Sequence, residues 1–554
     1  MTTALRAAAP GGSALSRLAP AAILAVSLLH SWQRAFLIDD SYISFRYARN
    51  LAEGIGLVFN VGERVEGYTN FLWTLLMAAA TMAGKDPVDA SMAGGMISSA
   101  LLLLVLHRWG LDLGLGRGWA LLAPAMLAVN RSYAAWATGG LETRFFSLLL
   151  VAAGWRLHVE SRRLKAMDAM AAGARHDSAV VPWSAAILAL ACLTRPEGLL
   201  AAVVASIGML LALRASHRVT RRAHAAASVG ILLLSVGAHE AWRVAYYGAW
   251  LPNTYYAKVA GPRLVSGAFY LATFASHHLV LPGACLFAAV ALEGRTIAAR
   301  IRSALGDSSG PAAFAAPFTL MYLAYAVAVG GDHFEFRFMD PVLPLIYLMA
   351  ALAAASLSIV PPGKDGRRLR PAAALIGAAL IAGAGISSVT GFRDVERTYD
   401  LAGDRRYVSI VSIETESGYL RHWEQVGRWL RDNADPSDSI AVAPSGAIPY
   451  LSGLRSLDMH GLNDAEIARL PVKPGMNVGH ERWADLELIR SRGITYYIGD
   501  PRIQRERAHD LPGNPVEVRL GDRWFYFWVL TPGARIMPGY GANRLGSSVV
   551  KSGT

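Results

Sequence analysis

The chain has 554 residues, 53% of them hydrophobic and only 17% charged, with mean hydropathy +0.32 and a formal net charge of +12. So little charge cannot coat the soluble surface that this length implies, which excludes a cytosolic globular enzyme and a disordered chain. A basic balance signals an acidic partner only where the charges cluster, so their placement decides. The two cysteines, Cys192 and Cys285, sit singly in apolar runs, with no disulfide framework and no Cys/His zinc spacing.

A membrane-crossing helix needs about 20 mainly apolar residues. Such runs fall at 18–37, 91–107, 119–134, 144–157, 183–196, 198–213, 225–246, 268–291, 312–330, 341–360 and 371–390. The first lacks the small-residue cleavage site of a signal peptide and reads as a retained anchor. A twelfth run at 68–84 is decided by charge, because basic residues favour the cytoplasmic side. The basic segments are Arg6/Arg17, Arg108/Arg117, 156–175, 214–222, 295–302 and 364–370. They share the side of the N-terminus only if 68–84 does not cross. The expectation is therefore eleven spans, a juxtamembrane helix at 68–84, a cytoplasmic N-terminus and an outer C-terminus. On that topology the cytoplasmic segments hold 20 basic and seven acidic residues, a net of +13. Residues 392–554 carry 21 of each sign, and the remainder 12 basic and 13 acidic. The excess reports orientation, and no nucleic-acid face is left over.

Beyond 391 the continuous apolar runs end. An amphipathic helix pattern at 419–431 is followed by strand-like SIAVAP (439–444), ITYYIGD (494–500) and WFYFWVL (524–530). This reads as an α/β domain outside the membrane, with a disordered stretch over the last dozen or so residues. The expected division is a membrane domain at 1–391 and a periplasmic α/β domain at 392–554.

Polar residues gather in the outer loops: 38–70, TGGLETR (138–144), TRPEG (194–198), RVAYYGAWLPNTYYAK (243–258) and GGDHFEFRFMD (330–340). Ionisable groups at a membrane boundary are costly unless paired or functional, so together they suggest a charge-lined cavity. Asp39 and Asp40, directly after the first span, could supply a general base for an acceptor hydroxyl. The structural alternative is that one of them caps the helix that follows, and the two roles are compatible. Arg46, Arg144, Arg195, Arg243, Lys258 and Arg337 could hold a phosphate, or serve as interfacial anchors. Arg195 stands out because Thr194-Arg195-Pro196-Glu197 splits one apolar stretch in two, although its pairing with Glu197 could be purely structural. His333 beside Asp332 could carry a proton or be structural. Trp32, Trp73, Trp136, Trp242 and Trp250 suit an aromatic belt, and one or two could stack on a sugar. LDMHGLND (457–464) places Asp458, His460, Asn463 and Asp464 in one turn, where such residues are common and acceptor binding is a second reading.

The stretch 31–73, with GLET (140–143), LTRPEG (193–198), YYGAWLPNTYYAK (246–258), GGD (330–332) with Arg337, and GLND (461–464), resembles the GT-C polytopic glycosyltransferases. It looks particularly like the mycobacterial terminal β-(1→2) arabinofuranosyltransferases and their bacterial relatives. The resemblance implies transfer of a sugar, arabinofuranose among the candidates, from a polyprenyl-phosphate donor to a cell-envelope glycan or glycolipid. Transfer would occur with inversion, at the periplasmic face of the inner membrane. It implies an acid of the first outer loop as base, Asp39 or Asp40, with Asp39 the leading acid of the pair. Arg46, Arg195, Lys258 and Arg337 become the donor-phosphate candidates. Glu66, Tyr68, Asn70, Glu142, Glu197, Asn253, Tyr255, Asp332 and His333 become the substrate-binding candidates. Polyprenol phosphate is already a good leaving group, so no obligatory metal and no cofactor are expected. GYTN (67–70) and the shorter outer domain depart from the arabinofuranosyl pattern and leave the sugar open. The alternative is a transporter or flippase of a lipid-linked or anionic solute. Transporters place ionisable groups near the midplane on broken helices, whereas here they lie at one interface. A ligase using a pyrophosphate-linked glycan is a third reading.

Overall fold

The computed structural model describes residues 14–170, 180–214, 219–259, 261–284, 314–358, 369–401, 404–473, 479–501, 503–508, 511, 515–531 and 549–550. Each of the eleven apolar runs forms helix over most of its described part. The first forms Ala14–Gln33 and stops short of Leu37. The second lengthens to Pro87–Asp112, because the Asp86 side chain accepts from the Val88 amide and Pro87 occupies the first turn. The run at 119–134 is not one helix. It breaks into Arg117–Ala120, Leu122–Val129 and Arg131–Ala135, since the Asn130 side chain caps a new start by accepting from the Tyr133 amide. The others are Thr143–Met170, Trp183–Thr194, Gly198–Arg214, Val219–Tyr247, Leu264–His278, Ala315–Val329, Leu343–Ser358 and Leu369–Thr390. Residues 285–291, 312–313 and 359–360 of the expected spans lie outside the described residues, as do Arg6, Arg175, 295–302 and 364–368. Two helices, Pro87–Asp112 and Val219–Tyr247, are long and apolar enough on their own to cross a membrane. The run at 68–84 forms the 12-residue helix Phe71–Met82, about 18 Å long at 1.5 Å per residue.

The helices share one apolar core around Leu102, Leu106, Trp109, Leu150, Leu188, Phe318 and Leu348. Their outer faces leave Ile97, Leu101, Leu210, Leu211, Leu233, Leu234, Leu320 and Leu375 exposed. Apolar surface on that scale marks a contact with lipid or another apolar phase. The two ends of the bundle differ in chemistry. At one end Trp155 and Arg162 donate to Asp112, and Glu160 accepts from Ser184 beside His224. At the other lie Asn70, Glu142, Arg195 and Arg337. Glu142 and Glu160 stand at opposite ends, separated by about 27 Å of helix.

The C-terminal part is a sheet domain. Strands β1 (Val395–Leu401) and β2 (Asp404–Ile410) form an antiparallel hairpin. The main sheet contains β3 (Ser439–Val442), β4 (Arg455–Asp458), β5 (Tyr496–Gly499), β6 (Ile503–Gln504), β7 (Val516–Leu520), β8 (Arg523–Val529) and β9 (Val549–Val550). Its order is β4-β3-β5-β8-β7-β9, with β6 also on β8. The first three strands run parallel and the remainder antiparallel. The amphipathic helix is longer than expected, Ile413–Asn433, and starts where Ser412 caps the Thr415 amide. Of the expected disordered end, most lies outside the described residues, and Val549–Val550 pair with β7.

Candidate functional site

The first polar loop folds into the helix Asp39–Ala52, whose N-cap is Ile38, so neither aspartate caps it. Asp39 instead reaches the sheet domain. Its two oxygens accept from the Gly446 amide (2.8 Å) and the Ala447 amide (2.7 Å), at the start of the helix Ala447–Ser452. A Cβ on Gly446 would lie 1.9 Å from the Asp39 carbonyl oxygen, so only glycine permits this approach. The same holds at Gly67, where a Cβ would meet Asn463 Oδ1 at 1.9 Å. Asp39 is 7% exposed, and its capping role is real but serves a helix 407 residues away.

Arg46 also belongs to this seam. Its guanidinium donates to the carbonyls of Phe59, Pro449 and Leu454 and to Asn60 Oδ1, and it is buried. With four of its five N–H donors spent within this buried seam, it is not placed to hold a donor phosphate, a correction to the expectation from sequence. Tyr42 donates to Glu424 at 2.6 Å, Tyr47 to Asn463, and Asn60 to the Ser456 carbonyl. Asn253, a substrate-binding candidate, donates to the carbonyls of Gly461, Leu462 and Asp464 and so ties two loops together instead. The first loop is thus in large part the platform on which the sheet domain sits.

Arg195 occupies the turn between Trp183–Thr194 and Gly198–Arg214. Its Nε and one terminal nitrogen bind both oxygens of Glu197, and the other binds Glu142 at 2.7 Å. Asn70 completes the group by donating to Glu142 and to Ser44. The fork of Arg195 is therefore occupied by carboxylates, which corrects its expected role as a phosphate ligand. Arg144 is likewise paired, to Asp340 at 2.9 Å. Glu66 accepts from Arg243 at 2.7 Å, and the Tyr68 hydroxyl meets that of Tyr247 at 3.1 Å. This pair of contacts forms a separate cluster. Tyr255 is 45% exposed against Tyr256 and joins none of them.

Three predicted residues, Asp40, Lys258 and Arg337, keep open polar groups, with His333 beside them. Asp40 is half-buried, and its carboxylate accepts no hydrogen bond among the described residues. It interacts electrostatically with Arg337 and Asp39. Arg337 donates through Nε to Asp332 (2.9 Å) over the ring of Phe334, leaving its two terminal nitrogens without an acceptor among the described residues. Lys258, half-buried, has no ion-pair partner among the described residues and acts on both Asp332 and His460. His333 lies 3.4 Å from Asp332, its ring facing His480, which in turn faces His460. The Arg337 guanidinium, then His333, hold the Asp332 carboxyl well below the usual range despite burial. No three His, Cys, Asp or Glu side chains among the described residues are grouped to hold a metal ion.

One residue in this cluster was not found from sequence. Glu416 comes from the sheet domain, is 8% exposed, and sits among His333, Asp40, Asp332 and Arg337. It lies in ETES (414–417), where it looks like any acid in the first turn of a polar helix. Burial raises both Asp39 and Glu416 to about 7, against the pull of the Ala447 amide on Asp39 and of His333 on Glu416. An acid with a raised pKa binds more protons folded than unfolded between about pH 4 and 7. Stability is therefore expected to fall as pH rises through that window and to level off above it. Thermal melting across a pH series checks this, and Glu416→Gln should flatten part of the slope.

The helical bundle with its sheet domain has counterparts among solved structures. One is ArnT from Cupriavidus metallidurans bound to undecaprenyl phosphate, at TM-score 0.51 and 11% identity, covering 81% of this chain and 86% of that one. Another is the archaeal oligosaccharyltransferase AglB from Archaeoglobus fulgidus, in complex with an inhibitory peptide and a dolichol-phosphate. Its TM-score is 0.53 at 12% identity, covering 93% of this chain and 74% of that one. The fold is that of the GT-C glycosyltransferases. In sequence, the chain is 30% identical over 365 residues to the terminal beta-(1->2)-arabinofuranosyltransferase of Mycobacterium tuberculosis, covering 61% of this chain and 55% of that protein. The chain spans about half the length of the curated relatives it matches. Residues 411–534, within the sheet domain, match a family described as a domain of unknown function (DUF8728). The resemblance read from the motifs thus holds for the GT-C fold and for its arabinofuranosyltransferase relatives.

Proposed function

We propose that this protein is an integral membrane glycosyltransferase that moves a sugar, arabinofuranose first among the candidates, from a polyprenyl-phosphate donor to a cell-envelope glycan or glycolipid. The observation that carries this reading is the pairing pattern at the motif end of the bundle. Most charges there are neutralised, yet Asp40, Lys258 and the fork of Arg337 stand open together under the sheet domain. A base, the unpaired ammonium of Lys258 and the free terminal nitrogens of Arg337 are what an acceptor hydroxyl and a leaving phosphate would complete. The relatives' arabinosyl transfer and the lipid phosphates of the two structural neighbours point the same way.

In this mechanism Asp40 takes the proton of an acceptor hydroxyl as its oxygen attacks the anomeric carbon. The bond to the phosphate oxygen breaks on the opposite face, so configuration inverts. The electron pair leaves with polyprenyl phosphate, whose growing charge meets Lys258 and Arg337. Asp39, with both oxygens engaged, holds the sheet domain and positions its neighbour. Arg195 positions Glu142 and Asn70. The eleven-span topology, the division at 391/392 and a periplasmic sheet domain in a bacterial inner membrane belong to the same proposal. The +13 of the basic segments supports it, as does the place of Arg108, Arg156 and Arg162, beside Asp112 and Glu160 at the opposite end of the bundle.

Comparison of envelope glycans from cells with and without the gene tests the reading. A terminal sugar should be missing without it and return with the wild-type copy, and unchanged glycans would count against it. Lys258→Met is expected to raise the donor KM by about tenfold or more through loss of one charge-assisted contact, measured with a defined polyprenyl-phosphate sugar.

A further inference from the structure

Glu416 is more than nine-tenths buried, and its side chain accepts no hydrogen bond from any described residue. Its oxygens keep some contact with solvent, so the carboxylate opens on a space that the donor of a ligand can reach. Its position is fixed from several directions. The Val411 amide donates to the His333 carbonyl at 2.7 Å, and the Glu335 amide to the Val411 carbonyl at 3.0 Å. The Ile413 amide donates to Glu335, which is itself held by Arg131. Further along the same helix, Tyr42 grips Glu424. The first turn of Ile413–Asn433 is thus built onto the His333–Arg337 loop and across from the Asp39–Ala52 helix.

The groups facing Glu416 are Asp39 and Asp40 from that helix, Asp332, His333 and Arg337 from the loop, and Tyr419 from its own helix. Neither cation nearby bonds to it: Arg337 gives its Nε to Asp332, and His333 lies against Asp332. What is missing is a neutral donor, and a hydroxyl supplies a proton without adding charge to an already crowded site.

Resting on the glycosyltransferase reading, we propose that Glu416 is the acceptor-binding group of the sheet domain, taking the hydrogen bond of an acceptor-sugar hydroxyl beside the hydroxyl that Asp40 deprotonates. The substrate class is then a polyhydroxylated acceptor presenting two neighbouring hydroxyls, one to each carboxylate. The two acids come from different parts of the chain, so the acceptor subsite exists only when the sheet domain is docked.

The test compares wild type, Glu416→Gln and Glu416→Ala as full-length protein in lipid nanodiscs. An octyl arabinofuranoside serves as acceptor probe, with polyprenyl-phospho-arabinofuranose as donor. Binding of the acceptor and its transfer are measured on the same preparations. Loss of a hydrogen bond to a charged group should weaken acceptor binding and raise its KM about ten- to a hundredfold in both variants, with the donor KM unchanged within twofold. Glutamine keeps the size of the side chain, so a melting temperature near wild type in that variant separates lost binding from lost fold. Acceptor affinity unchanged in both variants, or a shift in the donor KM instead, would overturn the assignment. A wild type that binds the probe without transferring sugar rejects the enzymatic reading, while the same binding titration still decides the role of Glu416.

Discussion

Asp40→Asn is expected to lower kcat by about a hundred- to ten-thousandfold, the usual worth of a positioned general base, with the melting temperature close to wild type. The stability half follows from the absence of hydrogen bonds to the Asp40 carboxylate among the described residues: no hydrogen bond is lost when it becomes an amide, and relief of repulsion from Asp39 offsets the lost attraction to Arg337. Asp39→Asn should behave in the opposite sense. Its two oxygens accept from two amides, and an asparagine places an NH2 against one of those donors. Loosened docking of the sheet domain, seen as faster proteolysis between the bundle and the sheet, is the expected sign. Steady-state transfer assays and melting curves on the two variants therefore separate the chemical acid from the structural one. Equal loss of activity with equal loss of stability in both would contradict the division.

The second large effect is on the fold. Arg195→Leu would leave Glu142 and Glu197 buried without their shared cation, a change that costs about 3–5 kcal/mol in comparable sites. Burial pushes the Glu197 carboxyl up, and Arg195 more than offsets this, with smaller help from a backbone hydrogen bond and Arg337. A fall in melting temperature on the order of 10 °C is expected for the variant. Combining it with Glu142→Gln and Glu197→Gln should recover most of the loss, because the uncompensated charges go with the arginine. A single variant that melts like wild type would mean that the triad contributes little to holding this turn.

These two expectations also mark where sequence is a sufficient guide and where it is not. The membrane-type helices were legible because burial on all sides demands unbroken apolar runs, and β3, β5 and β8 because they are dense in β-branched and aromatic residues. The β1–β2 hairpin was not, since Arg397, Asp400, Arg405 and Arg406 interrupt any apolar alternation. Asn130 ended a helix that hydropathy alone would have continued. In the polar loops, the sequence shows the charges but cannot rank them. Asp39 and Asp40 are adjacent and chemically identical. Their difference lies in Gly446 and Ala447, more than 400 residues away. Arg46 and Arg195 looked available for the same reason, because their carbonyl and carboxylate partners become neighbours only on folding. Glu416 was missed because its significance is an absence of partners within a packed seam.

The central claim is that the open charges around Asp40 transfer sugar from a lipid phosphate. Its most direct measurement is turnover by purified wild-type protein in proteoliposomes given polyprenyl-phospho-arabinofuranose labelled in the sugar, with a soluble arabinoside acceptor. The expected result is labelled glycoside of inverted anomeric configuration together with free polyprenyl phosphate in equal amount, both absent with Asp40→Asn. Movement of intact labelled lipid across the bilayer with no bond cleaved would contradict the claim.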